Sequence, residues 1–207
     1  YLLPFFQDKR YEKVNNKPVF MLFDSMFSSK KKIVDYFDKR CKDAGFSGIF
    51  IINTAFDPKD LKKGDSNVDE IWHLREPSTS ATFLGDDWKY IPYLIFSRMR
   101  KLISSKYVYR YNGDTILKAR TGFVTDINYI PGAFFGWDNT PRHGKRGYII
   151  TSPSKETFMK YMDSIKDSEY VFINAWNEWC EGMILEPTEE HGYKYLEWIK
   201  EWTENNE

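Results

Sequence analysis

The sequence predicts an α/β fold organised around a mostly parallel sheet. Three observations carry that reading: short apolar runs with polar exits, helical stretches between them, and the alternation of the two along 207 residues. Charge is balanced, with 30 basic and 30 acidic residues, so no net field points to nucleic acid or an anionic membrane as partner. No apolar run reaches the roughly 18 residues that a membrane span requires.

The elements follow in order. Pro18 opens the apolar run 18–24, PVFMLFD, a strand. Residues 28–45 place Ile33, Phe37, Cys41 and Ala44 on one helical face, with serines before it and Gly45 after it as start and stop signals. The dense basic run Lys30 to Lys32 is read as the solvated start of that helix rather than a phosphate site. GIFIINTAF (48–56) is a second strand and DEIWHL (69–74) a third. Trp88, Ile91, Ile95, Met99 and Leu102 mark one face of a helix, with Pro92 near its first turn. Residues 129–138 have strand content. Ser152 and Pro153 are read as N-cap and first residue of a helix carrying Phe158, Met159, Met162 and Ile165. The last strand is YVFINAW (170–176), and Tyr195, Ile199 and Trp202 stand at helical spacing near the end.

That is about five strand–helix units, whereas a closed (β/α)8 barrel takes about 250 residues. The chain therefore reads either as an open α/β sheet or as the C-terminal portion of a barrel whose first strands lie upstream. Its two distant cysteines, Cys41 and Cys180, form neither a disulfide framework nor a zinc motif; both read as buried and favour a reducing, cytoplasmic compartment. The 16 Phe, 14 Tyr and 7 Trp supply the core, with some rings available to stack on the apolar face of a sugar.

In either architecture ligands bind beyond the C-terminal ends of the strands. The exits are Asp24 and Ser25, Asn53 and Thr54, His73 and Arg75, Trp137 to Arg142, and Asn174 to Glu181, and they are expected to converge on one polar rim. Asn174, Asn177, Glu178 and Glu181 follow one apolar strand within eight residues, in FINAWNEWCEGMILEP. Two carboxylates facing one cavity repel, so one is held protonated, and an acid beside a base is the minimum for breaking a glycosidic bond. The competing reading is structural, both glutamates lying in the first turn of a helix against free backbone amides. Metal ligation has little support, with no histidine or aspartate close by.

The second unusual stretch is GWDNTPRHG (136–144). Asp138 either pairs with Arg142 or caps the turn at Asn139 to Pro141. Arg142 either binds ligand hydroxyls or makes a structural ion pair. Trp137 is either core or a stacking platform. No nucleophile elbow, dinucleotide fingerprint or Walker loop is present.

LPFFQDKRYEKVNNKPVFMLF, PGAFFGWDNTPRHG and VFINAWNEWCEGMILEP...HGYKYLEW together resemble the WbsX-like family of polysaccharide-biosynthesis proteins, which is related to glycoside hydrolase family 99. The resemblance extends from residue 3 to about 198. It implies that residues 1–207 form a single domain, the C-terminal portion of a (β/α)8 TIM-type barrel whose N-terminal part, and any partner domains, lie upstream. It assigns Glu178 as the base that deprotonates the sugar 2-hydroxyl and Glu181 as the acid that protonates the departing oxygen. Trp137, Asp138, Arg142, Asn177 and Trp179 fall to substrate binding, with no metal, nucleotide or other cofactor. The chemistry is retaining, on an oligosaccharide or polysaccharide. Cys180 departs from the hydrolases, which tend to carry histidine there. A glycosyltransferase of the same fold and a non-catalytic sugar-binding module are the alternatives. A half barrel exposes strand edges, so the 207 residues alone are expected to be inactive.

Overall fold

The computed structural model describes residues 1–23, 28–61, 68–76, 88–104, 107–121, 123, 125 and 127–206, with Tyr93 described by its backbone alone. The expected strand exit at Asp24 and Ser25 lies outside the described residues. The fold is mixed α/β and divides into two compact units, Tyr1–Leu74 with Asp126–Ile130, and Arg75–Thr125 with Pro131–Glu207.

In the first unit one sheet runs in the order Lys13–Val14, Lys17–Leu22, Phe50–Ala55, Asp69–Leu74 and Tyr129–Ile130. The first pair is an antiparallel hairpin. Its turn residues Asn15 and Asn16 both have positive φ, 51° and 60°, which matches the right-handed twist of the flanking strands. The other pairings are parallel. Helix Lys30–Asp43 contributes Val34, Phe37 and Cys41 to a cluster with Phe6, Ile49 and Ile51. Ile33, expected on that face, is exposed. The packed stripe runs 34, 37, 41, so the expected face holds at Phe37 and Cys41 and differs at its first turn, where Val34 replaces Ile33. At the helix end Gly45 adopts φ 91°, and the Phe46 N–H donates to Cys41 O at 3.0 Å, closing a Schellman turn.

The lysine run is not uniformly solvated. Lys30 Nζ lies 3.1 Å from Glu70 Oε2 and 5.4 Å above the Trp72 ring. Asn53 Nδ2 donates to the same carboxylate oxygen at 2.7 Å. The Glu70 side chain is only 5% exposed, and a carboxylate so placed draws a cation inward.

In the second unit Tyr109–Tyr111 pairs parallel with Tyr148–Ile150, which pairs antiparallel with Trp137–Asp138. Gly132–Phe134 pairs parallel with Phe172–Asn174. The expected strand 129–138 is thus broken, at Pro131 and at Gly136 with φ 148°, into three short pieces serving three sheets. Helix Lys155–Ser164 buries Phe158, Tyr161 and Met162, and Tyr161 Oη donates to Gly132 O at 2.6 Å. Helix Lys194–Glu204 adds Tyr195 and Trp198, the Tyr195 ring stacked 4.4 Å from Phe135.

Three expectations are corrected here, and three elements are added. The N-cap of helix Lys155–Ser164 is Ser154, not Ser152, because the Ser154 hydroxyl reaches Thr157 N; Ser152 Oγ accepts from Tyr195 Oη at 2.8 Å instead. In helix Ile91–Ile103 the stripe Ile91, Ile95, Met99 and Leu102 is exposed, while Leu94 packs on the core and Ser97 is buried. Periodicity finds an apolar face but not which face is covered. Cys180 is exposed. Strands Tyr109–Tyr111 and Tyr148–Ile150 and helix Gly113–Thr121 went unrecognised, their apolar runs being short.

Two contacts in this unit generate predictions. Arg120 Nε lies 2.8 Å from Glu76 Oε1, with side chains 1% and 0% exposed. Removing one partner of such a pair costs about 3–5 kcal/mol, so Arg120→Met is expected to lower the denaturant midpoint accordingly, and an unchanged midpoint would show the pair to be dispensable. Asp114 Oδ1 accepts from Ser154 N at 2.6 Å and Ser154 Oγ at 2.9 Å. Burial pushes the Asp114 carboxyl up, and the Ser154 and Thr157 hydrogen bonds, with the Lys118 charge, outweigh it to leave it below its ordinary 3.8. A group depressed in the folded state stabilises above its unfolded value and stops doing so as pH falls through the folded one. Asp114→Asn should therefore flatten the acid limb of the unfolding temperature against pH, starting near 3.8. An unaltered limb would count against this.

Candidate active site

The last strand of the second unit, Phe172–Asn174, ends where Asn174 Nδ2 donates to Glu76 O at 2.6 Å. The chain then forms a hairpin. Asn177–Glu178 pairs antiparallel with Met183–Ile184, and a single 3-10 turn, Trp179–Glu181, joins them. Gly182 follows in the left-handed region at φ 56°, where a side chain costs about 1–2 kcal/mol. Leu185 N and Glu186 N both donate to Trp176 O, at 3.0 and 2.8 Å, and close the base of the hairpin. Glu178 thus lies on a strand leg and Glu181 on the turn. The α-helical first turn that the structural reading needs is replaced by this one 3-10 turn, and the Glu178 side chain makes no capping bond to it.

Facing the hairpin is the turn that follows Trp137–Asp138. Asp138 Oδ1 accepts from Thr140 N at 2.9 Å and Thr140 Oγ1 at 2.6 Å, so of its two expected roles Asp138 takes the capping one. Asn139 O accepts from Arg142 N and His143 N, and Asn139 Oδ1 accepts from Tyr148 N at 2.8 Å. The return leg packs so closely that a Cβ on Gly147 would lie 2.7 Å from Asn139 Oδ1.

Two contacts join turn to hairpin. A Cβ on Gly182 would come within 3.1 Å of Asp138 Cβ, tighter than an ordinary contact, and the φ of 56° there also favours glycine. Arg142 Nη1 donates to Glu181 Oε1 at 2.6 Å. The Glu181 side chain is 13% exposed and that of Arg142 61%, which leaves most of the guanidinium facing solvent. The 136–144 and 172–187 stretches, distant in sequence, therefore lie against each other.

The other expected residues divide. Asn177, Glu178 and Trp179 are exposed on the hairpin, as is Trp176. Trp137 is 8% exposed and belongs to the core, its ring stacked 6.1 Å from Tyr148 at an interplanar angle of 19°. Its expected role as a sugar platform gives way to its role as a core ring, because the Tyr148 strand covers it. Asn53, Thr54 and His73 are buried in the first unit rather than set on a polar rim. Tyr148, beside the Trp137 ring, is a neighbour of this region that periodicity missed. Burial, then the Glu181 charge, push its hydroxyl above the ordinary 10, while Arg75 draws it down. The signal available in the sequence was slight, an aromatic following Gly147.

Among the described residues no group of three or more His, Cys, Asp and Glu side chains is placed to hold a metal ion. No described helix is long and apolar enough to cross a membrane.

With this geometry in hand, similarity to known proteins is informative. "Uncharacterized protein WxcX" from two strains of Xanthomonas campestris pv. campestris is 36% identical over 83 residues, 36% of this chain. The chain spans 12% of the length of these curated relatives. A solved structure described as a glycoside hydrolase-like protein superposes with a TM-score of 0.59 over 96% of this chain and 57% of its own, at 16% identity, and so shares the fold. The family pattern described as "Glycosyltransferase WbsX" matches residues 1–199, taking in both halves of the carboxylate site. The chain belongs to the WbsX glycosyltransferase family.

Proposed function

We propose that the chain carries the acid–base carboxylates of a glycan-active enzyme of bacterial surface polysaccharide metabolism, in O-antigen or capsule. The observation that carries this reading is the 2.6 Å contact between Arg142 and Glu181, which draws Glu181 against the turn while Glu178, on the same hairpin, stays exposed. Family membership and the shared fold of a glycoside hydrolase-like protein support a sugar as ligand. On this reading the chain is the later part of a single (β/α)8 barrel domain with its site at the strand C-termini.

The chemistry runs in two balanced steps. Glu178 takes the proton of the sugar 2-hydroxyl, and that oxygen attacks C1 to close a 1,2-anhydro ring. The glycosidic oxygen leaves with the proton of Glu181. Negative charge then develops on Glu181, and the Arg142 guanidinium stabilises it through a charge-assisted hydrogen bond. In the second step Glu181 removes a proton from water, the new hydroxide opens the anhydro ring at C1, and O2 recovers its proton from Glu178. Asn177, Asp138 and the exposed ring of Trp179 would orient the sugar.

The family description favours a second reading, transfer to an acceptor. A sugar hydroxyl then replaces water in the second step, with the residues unchanged in role.

Two experiments on the full-length protein test these readings. Glu181→Gln is expected to lower turnover by about 10²–10⁴-fold. Its unfolding midpoint should stay nearly unchanged, since a pair with so exposed an arginine contributes at most about 1 kcal/mol. A large loss of stability with turnover intact would return Glu181 to a structural role. Cleavage in ¹⁸O-labelled water should place the label at the new reducing end. Its absence from a turned-over product would select transfer.

A further inference from the structure

The turn that holds Glu181 also carries an unbalanced positive charge. Residues 142–146, Arg-His-Gly-Lys-Arg, place three permanent cations and a histidine in five positions, all exposed. The chain as a whole is neutral, so this concentration is not a by-product of a basic surface. Several cations elsewhere are paired with carboxylates, Lys17 with Asp69, Lys30 with Glu70, Arg120 with Glu76 and Lys155 with Glu201. Arg142 spends one nitrogen on Glu181. Among the described residues Lys145 and Arg146 have no ion-pair partner at all.

The backbone that presents them is built, not loose. Asp138 caps the start of the turn through Thr140. Asn139 secures both its legs, accepting from His143 N at 3.0 Å and from Tyr148 N at 2.8 Å. Gly144 takes φ 54°, and Gly147 N–H donates to Gly144 O at 3.0 Å. A preorganised turn binds without the ordering cost that a flexible one incurs.

Resting on the glycan reading above, we propose that the ligand of this site is anionic. Carboxylate or phosphate groups on the glycan would meet Lys145 and Arg146 while the scissile bond lies at Glu178 and Glu181. The negative groups would be the uronate carboxylates of an acidic polysaccharide or the diphosphate of an activated sugar. Arg142 stands where the two functions join, with one nitrogen on Glu181 and the rest of its fork turned to solvent.

Calorimetric titration of the full-length protein distinguishes these sources. Three probes are compared: a neutral oligosaccharide, a uronate-containing oligosaccharide of matched length, and a nucleoside diphosphate. The uronate probe is expected to bind about tenfold tighter than the neutral one, the scale of two partly exposed ionic contacts. Added salt should erode that preference. Lys145→Ala/Arg146→Ala should abolish it at unchanged unfolding temperature while leaving the neutral probe's affinity unaltered. A nucleoside diphosphate that binds with the same salt and variant dependence, when the uronate probe shows no preference, supports the proposal and assigns the charge to an activated sugar. Equal binding of neutral and acidic oligosaccharides with no diphosphate binding overturns it, as does a preference that survives the double substitution. Failure of all three probes to bind overturns the glycan reading itself.

Discussion

The approach of the 177–184 hairpin to the 137–147 turn is the constraint on which the rest of the site depends. Gly182 lets Asp138 come within van der Waals reach, and the left-handed turn at Gly182 points the chain back into its second strand. With backbones that close, Arg142 Nη1 reaches Glu181 Oε1 at 2.6 Å. Asp138 serves this arrangement from beneath: as a cap it fixes the first turn of the segment from which Arg142 projects.

Carboxylates are handled differently according to what surrounds them. Glu70 and Glu76 are buried and matched with Lys30 and Arg120, a pairing that offsets desolvation without adding much net stability. Such pairs position elements: Lys30 ties the start of its helix to a strand, and Glu76 also receives Asn174 through its carbonyl. Glu181 is matched by a largely exposed arginine and Glu178 remains open to solvent. Water can reach the latter pair, whereas Glu76 is closed off from it.

The aromatic residues divide along the same line. Phe135, Phe158, Tyr195 and Trp198 form a close-packed cluster under the site, and Trp137 with Tyr148 extends it towards the turn. Trp176 and Trp179 stand half-exposed on either side of Glu178. Rigid rings at the rim of a polar hairpin suit the mixed apolar and hydroxyl surface of a sugar.

Much of this was legible in local sequence. The apolar runs 18–24, 48–56 and 69–74 and the Gly45 stop describe their elements because strand and helix period are local properties. The two motif stretches, too, stand out by composition alone. Other features were settled only by tertiary packing. Helix Ile91–Ile103 turns its periodic apolar stripe to solvent and covers Ser97 and Leu94 instead, and which face is covered depends on neighbours far along the chain. Lys30 appears to the local eye as one of three solvated lysines, yet Glu70, forty residues on, needs its charge. Arg142 had an aspartate four residues away as its obvious partner and took a glutamate thirty-nine residues away instead. Sequence sets what each residue is able to do, through its charge, shape and local period; the choice among partners is made in three dimensions, because burial and electrostatic energy depend on distances that chain separation does not encode.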